Sequence, residues 1–554
     1  MKLGATYRQS GSTTAEIMVA ALRLLKRLCL AFVLFGSLGA AMAQSQKPYP
    51  RGIIDLPGAI SAKNPIGTIT DHPWQNVNVD GLRIRTGWDN TETADGVYNW
   101  AQIDECLTLA VTSGKFIGLG MIAGIDAPPW LMGGCTFTDG VTTLDVATLT
   151  SSTANFVTED VGRVIVSAYF PAGTTIVSRI SSTVVQTSAA ATRTTNTKNP
   201  AAFSILACNP EGAAFRVLTA PDSGVMVVPW DPLAKAKWKA FVTALGARYD
   251  SNPQLGYMVM TGFCQAGEAY LASVQADIDF FDASAIAAGY VATADLPAGL
   301  VAWEATVKEV VDTYMTAFPT TPLLITGARP YGGTQSSAGT KAMNDIFAWG
   351  VATYPGRFGI MNAQLHVTSS TGYYLNAAIY NNRFTEPVGI QFLCSTNSAD
   401  NVARLSNSPP YGSDPFLSAY DAINNSFTAA VNIGCKFVET YEVDVKNSAY
   451  QTILATQGAA LKSPTPTPTA PSITTQPADK TVTAGRTAKF TVTAAGTAPL
   501  TYQWTKNGAN ISGATKASYI TPATTTADNG ALFAVVVSNV AGSITSNSAT
   551  LTVK

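Results

Sequence analysis

The sequence is poor in charged residues. Lys, Arg, Asp and Glu together make up 13% of its 554 residues, about half the usual share, and 35 basic residues almost balance 36 acidic ones. No run of Lys or Arg provides the basic face that nucleic acids and other polyanions require. The composition therefore argues against a nucleic-acid-binding protein and favours an uncharged partner.

Metal and cofactor signatures are also missing. The chain has two histidines and seven cysteines, and no pair of cysteines has the spacing of metal ligands. No Gly-rich phosphate-binding loop follows the first predicted strand. We therefore expect neither a metal nor a cofactor, whereas a hydrophobic content of 46% is ample for a large core.

The only long apolar run lies near the N-terminus, at residues 28–41. Three basic residues precede it, and Ala41-Met-Ala43 provides a small-residue cleavage site before Gln44. The run is shorter than the ~20 residues that span a bilayer, although a membrane anchor is the alternative. We expect residues 1–43 to be a signal peptide, the mature protein to have no membrane span, and the location to be secreted, periplasmic or on a bacterial cell surface.

Cys135 and Cys208 bracket a segment of distinct composition. Residues 135–208 are rich in Thr, Ser, Ala and Val with Gly and Pro breaks, a pattern typical of short strands. We therefore predict an inserted β module. Its Asp160-Val-Gly-Arg163 and Pro171-Ala-Gly-Thr-Thr-Ile176 motifs resemble repeats of bacterial surface and phage-tail proteins, a resemblance that implies no chemistry. A disulfide between the two cysteines would close the module at its base, and two free thiols are the alternative.

A second boundary lies near the C-terminus, where residues 463–471 form a Pro/Thr-rich linker. Residues 472–554 show strand alternation around Trp504 and resemble a bacterial immunoglobulin-like sandwich. Val492 and Val535 occupy the positions of the usual inter-sheet disulfide, so we expect packing alone to hold this core. A spacer or surface-attachment role is favoured, and contact with polysaccharide remains open.

The remaining residues, 44–134 and 209–462, alternate predicted strands with helical stretches. The predicted strands are residues 52–56, 81–86, 116–121, 255–261, 323–327, 358–366, 388–394 and 435–441. Eight such units favour closure into a (β/α)8 TIM barrel, and a doubly wound open sheet is the alternative. The fold class is therefore α/β, with an inserted small β module and a C-terminal immunoglobulin-like β-sandwich.

Several motifs follow the predicted barrel strands. They are Gly81-Leu-Arg-Ile-Arg-Thr-Gly-Trp-Asp-Asn-Thr-Glu92, Ala127-Pro-Pro-Trp-Leu131, and Glu268 just beyond strand four. Together they resemble a secreted bacterial glycoside hydrolase of the clan that carries its acid/base Glu on strand four. The resemblance implies cleavage of O-glycosidic bonds in a neutral poly- or oligosaccharide by two carboxyl groups, with Glu268 as the acid.

The second carboxyl group departs from that pattern. Strand seven has Gln391 where the resemblance implies a nucleophilic glutamate, whereas strand eight has Glu439 and Glu442. Alternation puts Glu439 on the face of Phe437 and Tyr441, and an outward Glu439 would be buried without a sure partner. We therefore predict Glu439 as the catalytic partner, with Glu442 as the alternative.

Other side chains at the predicted strand ends are candidates for substrate binding. Trp88 and Trp130 would either stack on a sugar ring or cap the core, and His366 would contact substrate or serve structure alone. The predicted substrate-binding residues are Arg85, Trp88, Trp130, His366, Tyr441 and Gln391. The alternative function is a non-catalytic carbohydrate-binding or cell-surface protein on a degenerate barrel.

Overall fold

The structure, a computed structural model, describes residues 46–57, 73–195, 200–207, 211–222, 224–262, 269–372, 375–463 and 467–554. Eight parallel strands form a closed barrel in which each strand pairs with the next along the chain and the last pairs with the first. The strands are β1 (Gly52–Leu56), β2 (Gly81–Gly87), β3 (Phe116–Ile122), β4 (Leu255–Val259), β5 (Leu323–Gly327), β6 (Phe358–Leu365), β7 (Val388–Phe392) and β8 (Phe437–Tyr441). All eight predicted strands are present, with ends that differ by at most two residues from the prediction.

Helices occupy most of the connections between barrel strands. They are α1 (Trp88–Thr91), α2 (Ala101–Ser113), α3 (Pro232–Tyr249), α4 (Gln275–Ala287), α5 (Ala298–Ala317), α6 (Ser336–Thr353), α7 (Asn376–Asn382), α8 (Ala399–Leu405), α9 (Ala419–Ile433), α10 (Glu442–Val445) and α11 (Gln451–Lys462). Asp231 caps α3 by accepting hydrogen bonds from two backbone amides of the first turn, and Pro232 fits the first helical position. Gly434 ends α9 with a positive φ of 94°, a conformation that favours glycine.

The barrel interior is filled by side chains that point inward from alternate strand positions. Ile54, Tyr257, Val259, Leu324, Met361 and Phe437 form this buried cluster. Gly118 is required beside Tyr257, because a Cβ on that glycine would lie 1.9 Å from the tyrosine ring. The barrel is therefore a packed core rather than a pore.

The segment that follows β3 forms a small β structure with its own core. Its strands are Cys135–Gly140, Thr148–Thr150, Ile165–Val166, Ile176–Arg179, Val184–Thr187 and Ala201–Ile205, arranged in two three-stranded sheets. Leu149, Phe156 and Phe203 are buried in that core. Cys135 has a free thiol and Cys208 lies outside the described residues, so the structure gives no support to the predicted bridge.

The C-terminal residues form a separate β structure. Its strands are Ser472–Thr475, Lys480–Val482, Lys489–Thr491, Thr493–Ala495, Thr501–Lys506, Ala509–Asn510, Ser518–Ile520, Leu532–Asn539, Gly542–Thr545 and Ala549–Val553. The core contains Trp504, whose indole N–H donates to the carbonyl of Lys516 at 2.9 Å. Val492 and Val535 are both buried there, so packing holds the position where a disulfide would lie.

The sequence predicts a signal peptide and a mature protein without a membrane span. The predicted signal peptide, residues 1–43, lies outside the described residues. Across the part of the chain that is described, no helix has the length and apolar character needed to cross a bilayer.

Candidate functional site

A buried ion pair lies at the centre of the barrel. Arg83 Nη1 is 2.7 Å from Glu439 Oε2 and also donates to Gln391 Oε1 at 3.2 Å. Tyr257 donates its hydroxyl to the other carboxylate oxygen, Glu439 Oε1, at 2.8 Å. Both oxygens of the glutamate therefore contact protein groups, and Glu439 is 0% exposed.

The orientation of Glu439 agrees with the alternation along β8. Phe437, two residues earlier, belongs to the interior cluster, and Glu439 points to the same side. Burial, followed by the nearby Glu439 charge, raises the pKa of Tyr257 well above its ordinary value, so this phenol is a neutral hydrogen-bond donor. The structure thus places the Glu439 side chain inside the barrel. A catalytic role would also require a substrate to reach this enclosed carboxylate.

Glu442 occupies a different environment one residue beyond β8. It is the first residue of α10, and its carboxylate pairs with the ammonium group of Lys446 one turn later. Tyr441, which precedes it, is partly exposed. Glu442 therefore lies on the helix after the strand and does not join the ion pair inside the barrel.

Asp55, near the C-terminal end of β1, is a buried carboxyl group that the sequence did not indicate as a candidate. It pairs in register with Thr440 of β8, is 0% exposed, and has no hydrogen-bond partner within the described residues. Burial, followed by the charge of Glu442, raises its pKa to about 8. Because Ile54 faces inward, Asp55 faces the helices around the barrel.

Trp88 lies in the core, which agrees with the second of the two roles predicted for it. Its side chain is 0% exposed, its indole N–H donates to Glu92 Oε2 at 2.6 Å, and its ring lies 5.0 Å from that of Trp238. A ring enclosed by the core offers no free face for a sugar. Trp130 is partly exposed, although its N–H donates to the Glu92 carbonyl at 3.2 Å.

Arg85 and His366, two other predicted substrate-binding residues, differ in their solvent exposure. Arg85 is partly exposed and donates from Nη2 to the carbonyl of Pro57 at 3.0 Å. His366 is 4% exposed, its Nδ1 lies 2.9 Å from Thr368 Oγ1, and burial lowers its pKa. This enclosed position agrees with the structural alternative for His366, and its substrate contact stays a prediction.

Glu268, the predicted acid, lies outside the described residues. Ala269, which follows it in the chain, donates its backbone N–H to the carbonyl of Thr326 at 3.2 Å. Thr326 is near the C-terminal end of β5. Ala269 therefore lies at the end of the barrel where the strands finish.

Two aspartates at that same end carry shifted pKa values. Asp89 follows β2, and burial, followed by the charge of Asp126, raises its pKa to about 7. Asp126 follows β3, and burial raises its pKa to about 6. Sequence analysis did not select Asp89, because only the folded chain shows that the two loops meet; the signal available was an acidic residue directly after each of two adjacent barrel strands.

These aspartates line a cavity of about 420 Å³ between the barrel and the inserted β structure. Its lining consists of Asp89, Asn90, Ile125, Asp126, Ala127, Pro129, Met132, residues 165–168, residues 170–173, Gly224 and Val225. The described residues contain no group of three or more His, Cys, Asp or Glu side chains placed to hold a metal ion. The carboxyl groups of Asp89 and Asp126 can form hydrogen bonds and exchange protons at this cavity.

Comparison with known proteins identifies the C-terminal domain. The family model for the immunoglobulin I-set domain matches residues 471–553. Similar solved structures include titin domain M7, which is 35% identical with coverage of 16% of this chain and 99% of that one, at a TM-score of 0.15. A chimeric titin Z1Z2 tandem is 28% identical over 16% of this chain and 51% of that one, at a TM-score of 0.15.

A structure of Sidekick-1 immunoglobulin domains 1–5 is 24% identical, with coverage of 16% of this chain and 20% of that one and a TM-score of 0.14. The chain thus spans only a fifth to a half of the length of these first two relatives, Sidekick-1 and the titin tandem. No curated protein matches the sequence. The I-set match shows that residues 471–553 form an immunoglobulin-like domain, as predicted, and assigns no family to the barrel.

Proposed function

We propose that residues 44–134 and 209–462 form a (β/α)8 TIM-barrel glycoside hydrolase that cleaves O-glycosidic bonds of a neutral poly- or oligosaccharide. The supporting observation is the set of carboxyl groups at the C-terminal end of a closed parallel barrel, the end where such barrels carry their active sites. Asp89 follows β2 and Asp126 follows β3. Glycosidic cleavage needs two carboxyl groups, one protonated and one ionised.

Glu268 is the proposed acid/base. It follows β4 in the sequence, in the segment between two described residues, Gly262 and Ala269. The hydrogen bond from Ala269 to Thr326 holds the chain at the C-terminal end of β5. A carboxylic acid in that region would protonate the leaving glycosidic oxygen and would later accept a proton from water.

Glu439 is the proposed partner carboxylate. Its charge is balanced by Arg83, a suitable arrangement for a group that attacks a sugar as an anion. Glu439 is enclosed and its two carboxylate oxygens contact Tyr257 and Arg83, so one of these contacts would have to open for a substrate to reach it. Asp126 is a second candidate, because its carboxyl group already lines an open cavity.

The proposal is tested by assaying the full-length protein on a panel of neutral polysaccharides and analysing released sugars. Glu268→Gln should lower turnover by roughly 10²-fold or more, because general acid assistance contributes at least that much. Glu309→Gln is the matched control, since Glu309 lies on the outer surface of α5 and pairs with Lys235. Equal activity of Glu268→Gln and the control would remove Glu268 from the mechanism, and no release from any polysaccharide would contradict the hydrolase function.

The second candidate function is a non-catalytic carbohydrate-binding or cell-surface protein. Two observations favour it: Gln391 stands on β7 where a catalytic glutamate is expected, and Glu439 is enclosed by protein groups. The immunoglobulin-like domain would then serve as a spacer or a polysaccharide contact outside the cell. Saturable binding of a polysaccharide without release of any sugar would favour this function over hydrolysis.

A further inference from the structure

The cavity beside the barrel has two unlike walls. One wall comes from the loops after β2 and β3, and the other comes from the inserted β structure at residues 165–168 and 170–173. Its volume of about 420 Å³ is in the range of small-molecule sites. The insert therefore takes part in forming the cavity at the barrel end.

The two aspartates are held close together by backbone geometry. The backbone N–H of Asp89 donates to the carbonyl of Asp126 at 3.0 Å. A Cβ on Gly87 would lie 2.3 Å from Asp89 Oδ1 and 3.0 Å from the Asp126 Cβ, so glycine is needed for this approach. The loops after two neighbouring strands thus bring both carboxyl groups to one wall.

The carboxyl group of Asp126 is able to form further hydrogen bonds. Within the described residues its carboxyl group has no hydrogen bond and no ion pair, whereas Asp89 Oδ1 accepts a hydrogen bond from the backbone of Asn90 at 2.8 Å. Carboxyl groups in such confined places are normally paired. A partly exposed carboxyl group that lines a cavity without a partner is available to a ligand.

The protonation state of Asp89 and Asp126 suits hydrogen bonding to hydroxyl groups of a ligand. With pKa values near 7 for Asp89 and near 6 for Asp126, the two groups hold about one proton between them at slightly acidic to neutral pH. Such a pair both donates and accepts hydrogen bonds, as sugar hydroxyls do. A divalent cation would prefer two ionised carboxylates and more oxygen ligands.

The insert side of the cavity is mostly apolar, with Ser167 as its polar lining residue. Ile165, Phe170 and Pro171 supply apolar surface, and Ala172 and Gly173 leave room beside them. The barrel side places the carboxyl groups of Asp89 and Asp126 beside apolar side chains of residues 125–132. Carboxyl groups next to apolar surface suit a ring with hydroxyls on its edge and C–H groups on its faces.

We propose that this cavity is a subsite for one neutral sugar unit, in which Asp89 and Asp126 bond the hydroxyls and the inserted β structure covers the apolar face. This inference rests on the proposed function, which supplies the saccharide class. It assigns the insert a role in substrate selection. An anionic sugar should be rejected, because its carboxylate would lie against Asp89 and Asp126.

The test measures equilibrium binding to the full-length protein by calorimetry. The probes are the tetrasaccharides of β-1,4-glucan, β-1,3-glucan, β-1,4-xylan and β-1,4-mannan, with tetragalacturonate as the anionic comparison. Ala172→Trp, at an exposed position, should fill the cavity and weaken binding of the preferred neutral probe by at least about tenfold. Ser178→Trp is the matched control, since Ser178 is an exposed insert residue that does not line the cavity.

Asp126→Ala should weaken the same binding by about tenfold, through loss of hydrogen bonds to the ligand. Unchanged affinity in both Ala172→Trp and Asp126→Ala would overturn the subsite, as would the absence of any neutral-probe binding or equal binding of tetragalacturonate. Turnover of the wild-type protein and of Glu268→Gln, measured separately, distinguishes a failure of the subsite proposal from a failure of the hydrolase proposal. Weakened binding in the cavity variants without any sugar release would support the subsite and contradict the hydrolase.

Discussion

Arg83 and Glu439 form a 2.7 Å ion pair inside the barrel between β2 and β8. Both side chains are almost completely buried; Tyr257 donates a hydrogen bond to Glu439, and Gln391 accepts one from Arg83. Breaking such a pair costs more than forming it contributes, because one charge remains buried without its partner. Because Arg83 lies on β2 and Glu439 lies on β8, the pair connects an early strand of the barrel with the last one.

Arg83→Met should destabilise the barrel by about 3–5 kcal/mol, because Glu439 would lose its counter-charge. Urea unfolding followed by tryptophan fluorescence measures this change. Lys341→Met is the control, since the exposed Lys341–Asp345 pair should contribute less than about 1 kcal/mol. Recovery of much of the loss in Arg83→Met/Glu439→Gln is expected, and equal costs for the Arg83 and Lys341 variants would contradict the importance of the buried pair.

Glu439→Ala should abolish hydrolysis if Glu439 is the nucleophile, and azide should partly restore it with inverted stereochemistry, because a small anion can occupy the vacated space. Glu442→Ala should cost much less, since Glu442 pairs with Lys446 on α10. Product stereochemistry by NMR and turnover with and without azide measure the outcome. The reverse order of effects would assign the nucleophile to Glu442, and full activity in both variants would direct attention to Asp126.

Asp55 should make stability depend on pH. Its folded pKa is about 8, above its ordinary value of 3.8, so between these values the folded protein retains a proton that the unfolded chain has lost. The free energy of unfolding should therefore decrease as pH rises from about 4 to about 8, by up to about 6 kcal/mol at roughly 1.4 kcal/mol per pKa unit, and this contribution should be constant outside that range.

Asp55→Asn should remove that slope, because the amide does not titrate. Urea unfolding at pH 5 and pH 8 measures the difference, and Asp345→Asn at an exposed position is the control. A pH dependence that is identical in wild type and Asp55→Asn would show that Asp55 is not the group responsible.

A protein that ends at Lys462 should fold and keep its activity on a soluble substrate. The C-terminal domain follows a Pro/Thr linker. Among the described residues, the barrel would lose the hydrogen bonds from Arg383 Nη2 to the Ala498 carbonyl at 2.8 Å and from Arg51 Nη1 to the Ser463 carbonyl at 3.2 Å. Their loss should cost about 1 kcal/mol each. Circular dichroism, thermal unfolding and specific activity test this, and aggregation of the shortened protein would indicate that the barrel depends on the domain.

The eight strands were predictable because their signals are local. Buried runs bounded by Gly and polar residues predicted β2, β3 and β5 to within one residue at each end. Alternation along β8 also predicted that Glu439 shares a face with Phe437. The I-set domain was recognisable from its strand pattern and Trp504.

The predicted site was less accessible to sequence reasoning. The position of Trp88 after a strand left two roles open, sugar stacking and capping of the core, and the folded chain buries it against Trp238, 150 positions later in the chain. The partner of Glu439 and the proximity of Asp89 to Asp126 also depend on where distant loops meet. None of these contacts leaves a periodic signal in the sequence.

The sequence by itself thus determined which segments form strands and which side of each strand a residue faces, because both follow from neighbouring residues and a fixed period of two. Only the tertiary structure decided which of those side chains meet and which stay accessible. Closure of the barrel brings Arg83 to Glu439, and the insert turns the ends of β2 and β3 into the wall of a cavity. Burial and pKa depend on atoms from segments far apart in the chain, so the buried carboxyl group of Asp55 and the shifted pair at Asp89 and Asp126 appear only after folding.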